Sequence, residues 1–439
     1  MGILSTTLIT SGSATLIAGF IGIPVGAFLA SRKDTKFLKF GKLLVRTFYG
    51  LPPVVVGIWV YLLLSKEGIL SQLDWLFTIQ GMVLAQVILI LPLILGFSWF
   101  AFERIEREFG DVIKMVGPSD FQAFKLKVNL AKKGVMQGVA LGFGRAIAEV
   151  GAVLMVGGNI AGQTRVMTTS IVLETSRGNL TSASFLGIQL LVFSMIIMIF
   201  TFDLKWNFKK LKLGDSPIPK PTKLNLIKVE NLNVEFDNKS ILENISFDLK
   251  GGEVLVILGE SGAGKSTILK SLAGLIEYSG SITGVPSPGL NGTVMVFQEQ
   301  IALTKYVSQQ LSLASYLHGL PNCAFNLLKS VKLDKLGDRQ FSTLSSGEKQ
   351  RVVVLSNLAF KPALLLLDEF TANLDGKSIE VLEKMVNEHR DAGGAAIIVT
   401  HNANQAKRLG NKILYCHRGK LIDEDNENAK ILLSGQWSG

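Results

Sequence analysis

The sequence is poor in the residues that build disulfides and zinc sites. Its 439 residues include two cysteines and four histidines, and these do not occur at the short spacings typical of a zinc site. Cys323 and Cys416 both lie in the more polar second half of the chain, and disulfides are rare in cytosolic domains. The composition therefore excludes a disulfide-stabilised scaffold and a zinc protein, and we expect both cysteines to be ordinary packed residues.

Charged residues are scarce in the first 205 residues. Three stretches contain none and are long enough to cross a hydrocarbon core of about 30 Å as helices. Together with two further apolar stretches they predict five membrane spans, at residues 8–30, 43–64, 77–102, 134–158 and 183–203. A cleaved signal peptide is the alternative for the first stretch, but no basic residue precedes it and it is longer than the apolar core of a signal peptide.

The net charge of +10 is not gathered into a patch typical of nucleic-acid binding, so no nucleic-acid partner is expected. Instead, basic residues crowd the loops after the first and third predicted spans, and few occur in the loops between. The residues of these two basic loops are Arg32, Lys33, Lys36, Lys39, Lys42, Arg104, Arg107, Lys114, Lys125, Lys127, Lys132 and Lys133. The positive-inside rule therefore predicts a multi-pass protein of the cytoplasmic (inner) membrane, with its N-terminus outside and its second half in the cytoplasm.

A short linker is predicted at residues 206–223. A basic run typical of a membrane-surface anchor starts one residue before this linker, and three prolines follow the run, which indicate a stiff connection. The basic run consists of Lys205, Lys209, Lys210 and Lys212. After it, apolar runs at 254–258, 364–367 and 395–399 predict buried strands of a parallel sheet covered by helices. The predicted domains are therefore 1–205, all helical and in the membrane, and 224–439, of the α/β class.

A glycine-rich motif follows the first apolar run and precedes a helical pattern. It matches G-x-x-x-x-G-K-[ST], in which backbone N–H groups surround phosphates, the lysine adds a positive charge and the next hydroxyl binds Mg²⁺. ATP is accordingly predicted to bind at Gly259, Glu260, Ser261, Gly262, Ala263, Gly264, Lys265, Ser266 and Thr267. Ser266 is the predicted Mg²⁺ ligand within this loop.

Two carboxylates end the apolar run at 364–367. Asp368 is predicted to help fix Mg²⁺, as the carboxylate at the end of a buried strand does in this class of fold. Glu369 comes one residue later, where a carboxylate polarises the attacking water. An apolar run ending in Asp-Glu is common, and it gains its meaning from standing downstream of the phosphate-binding loop.

Residues 344–351, Leu-Ser-Ser-Gly-Glu-Lys-Gln-Arg, resemble the signature sequence of ATP-binding cassette (ABC) proteins. The resemblance covers residues 224 to 425 and implies an ATP hydrolase. In that family the signature, here Ser345, Ser346, Gly347 and Glu348, binds the γ-phosphate of ATP held by a partner subunit, so the resemblance implies a homodimer with two ATPase domains head to tail. A serine N-cap followed by a helix is predicted for the same residues from the pattern alone.

Further positions match the ABC pattern one by one. The resemblance implies that Phe236 stacks on adenine, that Gln298 senses Mg²⁺ and the γ-phosphate, that Asp375 lies in the loop crossing the dimer, and that His401 is the switch histidine. Ser346 stands where the family usually has Gly, and Glu348 where it usually has Gln. The few residues after His401 do not suffice for the small β-barrel that some molybdate and sulfate ATPases carry, so regulation through such a domain is not expected.

The first half resembles importer permeases. Residues 109–122 resemble a degenerate importer coupling motif and are predicted to form a short helix, with Asp111 and Gly117 at two of the motif positions. Exporter halves, by contrast, usually have six spans and long cytoplasmic extensions. Residues 49–57, 143–152 and 156–169 resemble the permeases of tungstate importers and, more distantly, of molybdate importers. Arg145 and Glu149, four residues apart, are predicted to form a charge pair on one face of the fourth span, as a structural or gate-locking pair or to attract the anion.

These observations predict ATP-driven import of an oxyanion, with permease and ATPase fused in one chain. The resemblance implies a separate extracytoplasmic oxyanion-binding protein, with ATP and Mg²⁺ required. Tungstate is the expected cargo, and molybdate or sulfate is the alternative. A transmembrane signalling assembly without transport is the alternative of another class, but the predicted outer loops are short for the extracellular domain that such proteins usually carry.

Overall fold

The computed structural model describes residues 2–32, 35–203, 213–237 and 239–422, with the side chains of residues 200–203 left aside. Lys33 and the predicted basic run at Lys205, Lys209, Lys210 and Lys212 lie outside the described residues, as do residues 423–439. The chain divides into two compact units. The first comprises Met1–Glu108 and Lys125–Trp206, and the second comprises Phe109–Phe124 and Asn207–Gly439.

Helices form the first unit. They are α1 (Ile3–Ala30), α2 (Lys36–Thr47), α3 (Pro53–Leu64), α4 (Ile79–Met115), α5 (Asp120–Ile147), α6 (Gly151–Gly157), α7 (Met167–Ser176) and α8 (Leu180–Asp203), with 3-10 turns at Phe48–Gly50 and Ser71–Leu73. The last residues of α4 and the first residues of α5 belong to the second unit.

Three helices in the described part of the chain are long and apolar enough to cross a membrane: α1, α4 and α8. The predicted second and fourth spans differ from single helices. The second is bent by 97° between the turn ending at Gly50 and α3, and the fourth by 57° between α5 and α6. Pro52 and Pro53 explain the first bend, because proline lacks a backbone donor and clashes with the preceding turn.

Small residues let the helices of the first unit pack closely. A Cβ added at Gly26 of α1 would lie 2.8 Å from the backbone nitrogen of Trp99 in α4, which is the close approach that small residues allow in membrane proteins. Buried threonine hydroxyls of α1 donate to carbonyls within the helix, as Thr10 does to Thr6 at 2.7 Å and Thr15 to Ser11 at 2.7 Å. This unit therefore has a packed interior without long polar side chains on α1.

The second unit is an α/β domain. Its strands are β1 (Leu226–Phe236), β2 (Lys239–Lys250), β3 (Val254–Gly259), β4 (Ser279–Thr283), β5 (Thr293–Val296), β6 (Leu364–Asp368), β7 (Ala395–Thr400), β8 (Lys412–His417) and β9 (Lys420–Ile422). Its helices are α9 (Lys265–Leu272), α10 (Val307–Leu311), α11 (Leu313–His318), α12 (Ala324–Ser330), α13 (Ser346–Leu358), α14 (Gly376–Asp391) and α15 (Ala403–Leu409), with 3-10 turns at Asp334–Leu336 and Phe341–Thr343.

Two sheets organise this unit. The larger has the order β5-β6-β7-β3-β8-β9 and is parallel except for the antiparallel β9, and the smaller is antiparallel with the order β2-β1-β4. Every residue of β3, β6 and β7 is buried, because helices cover both faces of a parallel sheet. The predicted α/β class with a parallel sheet is confirmed.

The predicted coupling helix is not a separate element. Residues 109–115 are the end of α4, residues 116–119 are not helical, and α5 begins at Asp120. Gly117 has φ +60° and Pro118 follows it, so the chain leaves the helical conformation at this point. The described part of the predicted linker, residues 213–223, likewise belongs to the second unit.

Candidate nucleotide-binding site

The phosphate-binding loop connects the buried strand β3 to α9. Gly264 caps α9 with φ +97°, a conformation that favours glycine. Lys265 is 4 % exposed, and its ammonium donates to the carbonyl oxygen of Gly259 at 2.9 Å and to that of Glu260. Burial lowers the pKa of Lys265, while the carboxylates of Glu369, Asp368 and Glu260 act in the opposite direction. A positive charge is thus held inside a loop of backbone donors.

Oxygen atoms suited to Mg²⁺ converge next to the lysine. The hydroxyl of Ser266 donates to Oδ1 of Asp368 at 2.9 Å, and Asp368 is 5 % exposed at the end of β6. Burial raises the pKa of Asp368, which the hydrogen bond from Ser266 opposes. A hydroxyl and a carboxylate at this distance fit the oxygen ligands that Mg²⁺ prefers.

Glu369 lies between two predicted site residues. Its Oε2 accepts a hydrogen bond from Nε2 of Gln298 at 3.2 Å, and its Oε1 lies 3.5 Å from Nδ1 of His401. Gln298 follows β5, Glu369 follows β6 and His401 follows β7, three neighbouring strands of the parallel sheet. Their carboxyl ends meet at one edge, which brings together three residues that are far apart in the sequence.

The signature residues form the start of α13. Ser345 is its N-cap: the Ser345 hydroxyl accepts from the Glu348 N–H at 3.3 Å, and the Glu348 carboxylate accepts from the Ser345 N–H at 2.8 Å. The predicted serine cap is confirmed as a reciprocal capping box. A Cβ added at Gly347 would lie 2.7 Å from the Ser378 hydroxyl and 3.4 Å from Oδ1 of Asp375, so a larger residue at this position would displace the Ser378 hydroxyl.

Asp375 caps α14, and Phe236 ends β1. The Asp375 carboxylate accepts from the Ser378 hydroxyl at 2.6 Å, and this hydrogen bond lowers the pKa of Asp375. Phe236 is half exposed and pairs with Lys239 across the β1–β2 hairpin. β2 also reaches the phosphate-binding loop, since a Cβ at Gly264 would lie 2.7 Å from Cδ2 of Leu242.

The structure does not bring all predicted residues into one site. Among the described residues, no hydrogen bond or ion pair joins the signature residues 345–348 to the phosphate-binding loop 259–267. The hydroxyl of Ser346 instead accepts from Nε2 of Gln300 at 2.9 Å. The residues therefore fall into two groups. The phosphate-site group consists of residues 259–267 with Gln298, Asp368, Glu369 and His401, and the signature group consists of residues 345–348.

Three contacts on the phosphate-binding loop were missed by the sequence analysis. Nδ1 of His417 lies 3.0 Å from the Glu260 carboxylate, and the carbonyl of Ala263 accepts from the Cys416 thiol at 3.1 Å and from the Gly419 N–H at 3.0 Å. Their signal in the sequence is weak, because only the pairing of β8 with β3 brings these residues to the loop. Both cysteines are buried and free, as expected, and burial raises the pKa of Cys416 to about 11.

The predicted coupling residues lie within the second unit. The carbonyl of Val116 lies 3.1 Å from Nε2 of His318, and Nε2 of Gln122 donates to the carbonyl of Leu317 at 2.9 Å. A Cβ at Gly117 would lie 2.8 Å from the carbonyl oxygen of Pro288. Asp111 lies half-buried on the last turns of α4.

The predicted charge pair is not formed. No ion pair joins Arg145 to Glu149 within the described residues, because α5 ends at Ile147 and the two side chains do not share a helix face. Arg145 donates to the carbonyl of Leu51 at 3.0 Å, and Glu149 accepts from the Ala152 N–H at 3.0 Å. Each residue therefore binds the backbone at a helix break.

Two family models match the chain in tandem. Residues 22–204 match the binding-protein-dependent transport system inner membrane component, and residues 242–372 match the ABC transporter model. The first match includes most of the helical unit, and the second includes the part of the α/β unit from β2 to just beyond β6.

Individual relatives match the same two regions of the chain. The tungstate uptake system permease protein of Peptoclostridium acidaminophilum is 36% identical over 195 residues, covering 44% of this chain and 85% of that protein. The tungstate uptake system ATP-binding protein of the same organism is 31% identical over 212 residues, covering 45% and 98%. A probable sulfate/thiosulfate import ATP-binding protein of Chlorella vulgaris is 33% identical over 215 residues, covering 45% and 89%.

The apolar helices and the inner-membrane-component match make this an integral membrane protein. The nucleotide-binding α/β unit and its family match make it an ATPase. The chain belongs to the ABC transporter family, with a binding-protein-dependent permease and an ATPase that couples ATP hydrolysis to import joined in one polypeptide.

Proposed function

We propose that the chain imports a tetrahedral oxyanion, with tungstate as the preferred cargo. The observation that carries this proposal is the 36% identity of the permease relative, whose name specifies tungstate. The ATPase relatives do not distinguish between cargoes, since one named for tungstate is 31% identical and one named for sulfate/thiosulfate is 33% identical. Molybdate and sulfate are therefore the competing cargoes.

We assign ATP hydrolysis to the phosphate-site group. Phe236 stacks on adenine, and residues 259–267 bind the phosphates, with the ammonium of Lys265 neutralising their charge. Ser266, Asp368 and Gln298 would hold Mg²⁺, which supplies additional charge neutralisation when bound. The Glu369 carboxylate orients a water molecule and takes its proton as the water oxygen bonds to the γ-phosphorus and the bond to ADP breaks. Gln298 and His401 hold Glu369 in place.

We propose that the signature group binds the ATP held by a second copy of the chain. The N-terminus of α13 presents backbone N–H groups and the hydroxyls of Ser345 and Ser346, which suit a γ-phosphate. Its separation from the phosphate-binding loop of the same chain supports a homodimer with two composite sites. Asp375, next to Gly347, would lie where the two copies meet.

The proposal also includes the membrane topology of the chain and the coupling of its ATPase domain to the permease. Five spans, two of them bent, carry the N-terminus outside and the ATPase domain in the cytoplasm, with domain limits at 1–205, 206–223 and 224–439. The segment 109–124, including Asp111 and Gly117, transmits nucleotide-dependent movement from the ATPase domain. Cargo arrives on a separate extracytoplasmic binding protein.

Transport by reconstituted vesicles tests the proposed function. ATP is enclosed, a purified oxyanion-binding protein is added outside, and accumulated tungstate, molybdate and sulfate are measured by elemental analysis. The proposal predicts tungstate accumulation that requires both ATP and the binding protein. Accumulation of another oxyanion in preference to tungstate would reject the cargo, and intact hydrolysis without any accumulation would favour the signalling alternative.

A further inference from the structure

Helix α2 exposes a row of large apolar side chains. Phe37 is 83 % exposed, Phe40 57 % and Leu44 41 %. At 3.6 residues per turn these three residues share one side of the helix, and we call them the apolar face of α2. A contiguous exposed apolar surface of this kind marks a place that another molecule or a membrane covers.

The other side of α2 is basic. Lys39, Lys42 and Arg46 follow one another at spacings of three and four residues, so they share a helix face, which is turned away from the apolar face. Lys36 lies between the two faces. Apolar and basic sides on one helix are the pattern of a helix that lies in a membrane interface, and lysines next to a membrane are attracted by anionic lipids.

Contacts with α4 place α2 at the height where a predicted span ends. Residues 77–102 contain no charged residue, and Glu103 is the first one after them. The ammonium of Lys42 lies 2.8 Å from Oε1 of Glu103, and Cζ of Arg46 lies 4.7 Å from the centroid of the Phe100 ring. One side of α2 is therefore fixed beside the last turn of the uncharged stretch, where hydrocarbon meets water.

The direction of α2 also differs from that of a spanning helix. The segment Lys36–Gly50 is bent by 97° against Pro53–Leu64, so α2 runs nearly parallel to the membrane surface if α3 crosses the membrane. The Thr35 hydroxyl accepts from the Leu38 N–H at 3.3 Å and caps α2. This cap begins a helix of its own after α1 has ended at Ala30.

We propose that α2 lies in the cytoplasmic surface of the membrane, with its apolar face between headgroups and acyl chains and its basic side on anionic lipid headgroups. Lys36 and Lys39 are assigned to the headgroups, since Lys42 and Arg46 contact α4. The competing possibility is that α2 crosses the membrane obliquely and supplies length that α3 lacks. The 12 residues of α3 are about 18 Å long, against a hydrocarbon core of about 30 Å.

The depth of two labels on the apolar face tests the proposal. Phe37→Cys and Leu44→Cys are labelled one at a time with a small environment-sensitive fluorophore in the full chain, whose own cysteines are buried. The chain is placed in nanodiscs of phosphatidylcholine and phosphatidylglycerol at about 3:1. Part of the lipid carries a nitroxide at a shallow or a deep acyl position, and the ratio of the two quenching efficiencies gives the depth. Lys39→Cys is the matched control on the basic side.

The two labels are seven residues apart, which is about 10 Å along a helix axis. A helix parallel to the surface places both at the same shallow depth to within about 3 Å, whereas an oblique crossing separates them by about 7 Å or more. Iodide in the water should quench the Lys39→Cys label and spare the other two. Unequal depths would overturn the proposal, as would iodide quenching of all three labels. Labels at 37 and 44 protected from both nitroxide and iodide would show that protein, such as a second copy, covers the apolar face, and would also overturn it.

The headgroup assignment has its own measurement. With the shallow nitroxide carried by phosphatidylglycerol, the label at residue 37 should be quenched at least about two-fold more than with the same share of labelled phosphatidylcholine. Lys36→Gln combined with Lys39→Gln should abolish this preference. Lys66→Gln, which removes an exposed lysine after α3, is the control and should keep it. Equal quenching by the two lipids in the parent would overturn the assignment to anionic headgroups.

A folding control accompanies each labelled chain. ATPase activity close to the parent's shows that the chain is folded. Where a labelled variant does not fold, Phe40→Cys and Thr47→Cys provide the same comparison, because both residues are exposed and they are also seven residues apart on α2.

This inference rests on the proposed topology only for the side of the membrane, and it fails separately from the proposed import. Equal shallow depths without oxyanion accumulation in vesicles would reject the import proposal and leave the surface helix standing. Unequal depths with normal uptake would do the reverse. In whole cells, a membrane-impermeant maleimide should not reach Lys39→Cys from outside, and its reaction there would overturn the cytoplasmic placement.

Discussion

At the scale of single residues, the hydrolysis that we propose depends on a carboxylate held by its neighbours. Glu369 has φ +44°, an uncommon conformation for a residue with a side chain. The surrounding contacts stabilise it: its N–H donates to the carbonyl of Val399 at 3.0 Å, and Gln298 and His401 flank its carboxylate. Strain of this kind occurs at functional sites, which agrees with the role of base that we propose.

Replacing this carboxylate tests its role. Glu369→Gln keeps the shape and the Gln298 contact but removes the proton acceptor, so ATPase turnover should fall by a factor on the order of 10²–10⁴ while ATP still binds. Steady-state phosphate release and equilibrium ATP binding are the measurements. Turnover equal to the parent's would remove Glu369 from this role.

The hydrogen bond between Gln300 and Ser346 should oppose nucleotide binding by the signature group. Gln300→Ala frees the Ser346 hydroxyl, and because one hydrogen bond contributes about 1 kcal/mol, the KM for ATP should fall by up to about five-fold with kcat little changed. ATPase kinetics in nanodiscs measure this, with the exposed Gln340→Ala as control. An unchanged or increased KM in Gln300→Ala contradicts the expectation.

A buried histidine should make the stability of the ATPase domain depend on pH. Burial lowers the pKa of His389 to about 4, against an ordinary value of 6.5, and the residue is 4 % exposed. Below pH 6.5 the unfolded chain takes up a proton that the folded chain does not, so stability is lost as pH falls from 6.5 to 4. The full loss is about 3 kcal/mol.

Unfolding of the solubilised chain by denaturant at several pH values checks this. In His389→Phe the loss between pH 6.5 and 4 should be smaller than in the parent by that amount. Parallel pH dependences in the two proteins would show that His389 is protonated equally in both states.

At the scale of elements, the helix breaks of the first unit are held by specific contacts. The Glu149 carboxylate accepts from the Ala152 N–H, and the Thr168 hydroxyl donates to the Glu149 carbonyl at 2.8 Å. Arg145 binds the carbonyl of Leu51 beside the other break. Backbone groups freed by a break inside a membrane must find such partners.

Glu149 should therefore act as a hydrogen-bond acceptor rather than as a charge. Glu149→Ala leaves the Ala152 N–H without its partner and should lower the free energy of unfolding by about 1 kcal/mol, as the loss of a helix cap does. Glu149→Gln keeps an acceptor oxygen and should retain most of the stability. Thermal unfolding in detergent compares the two, and a Gln variant as unstable as the Ala variant would mean that the charge itself is required.

How far the sequence predicts these elements depends on where their contacts come from. The bend before α3 follows from Pro52 and Pro53, and the turn at Gly117 from a glycine followed by proline, so both could be read locally. The break between α5 and α6 contains no proline and depends on Thr168, nineteen residues away. A charge pair was predicted there because a continuous helix was assumed.

The same distinction applies to the site. The phosphate-binding loop, Asp368 and Glu369 were predictable, because each is a local motif at the end of a buried strand. His417 and Gln300 were not, since they reach Glu260 and Ser346 through strand pairing and loop packing across 157 and 46 residues.

At the scale of the whole molecule, the two groups of site residues are the reason why we propose a second chain. Within the described residues, the phosphate-site group and the signature group are not bonded to each other. A head-to-tail pair of chains would place the signature group of one on the nucleotide of the other and create two equivalent sites, as expected for a closed two-fold assembly.

Cysteine cross-linking across the proposed composite site tests this claim most directly. Ser261→Cys in the phosphate-binding loop and Ser346→Cys in the signature are combined in the Glu369→Gln chain, whose own two cysteines are buried. We predict that ATP, but not ADP, promotes a disulfide joining two chains, seen as a covalent dimer on a non-reducing gel. Cross-linking that stays within one chain, or no ATP-dependent dimer, would contradict the account.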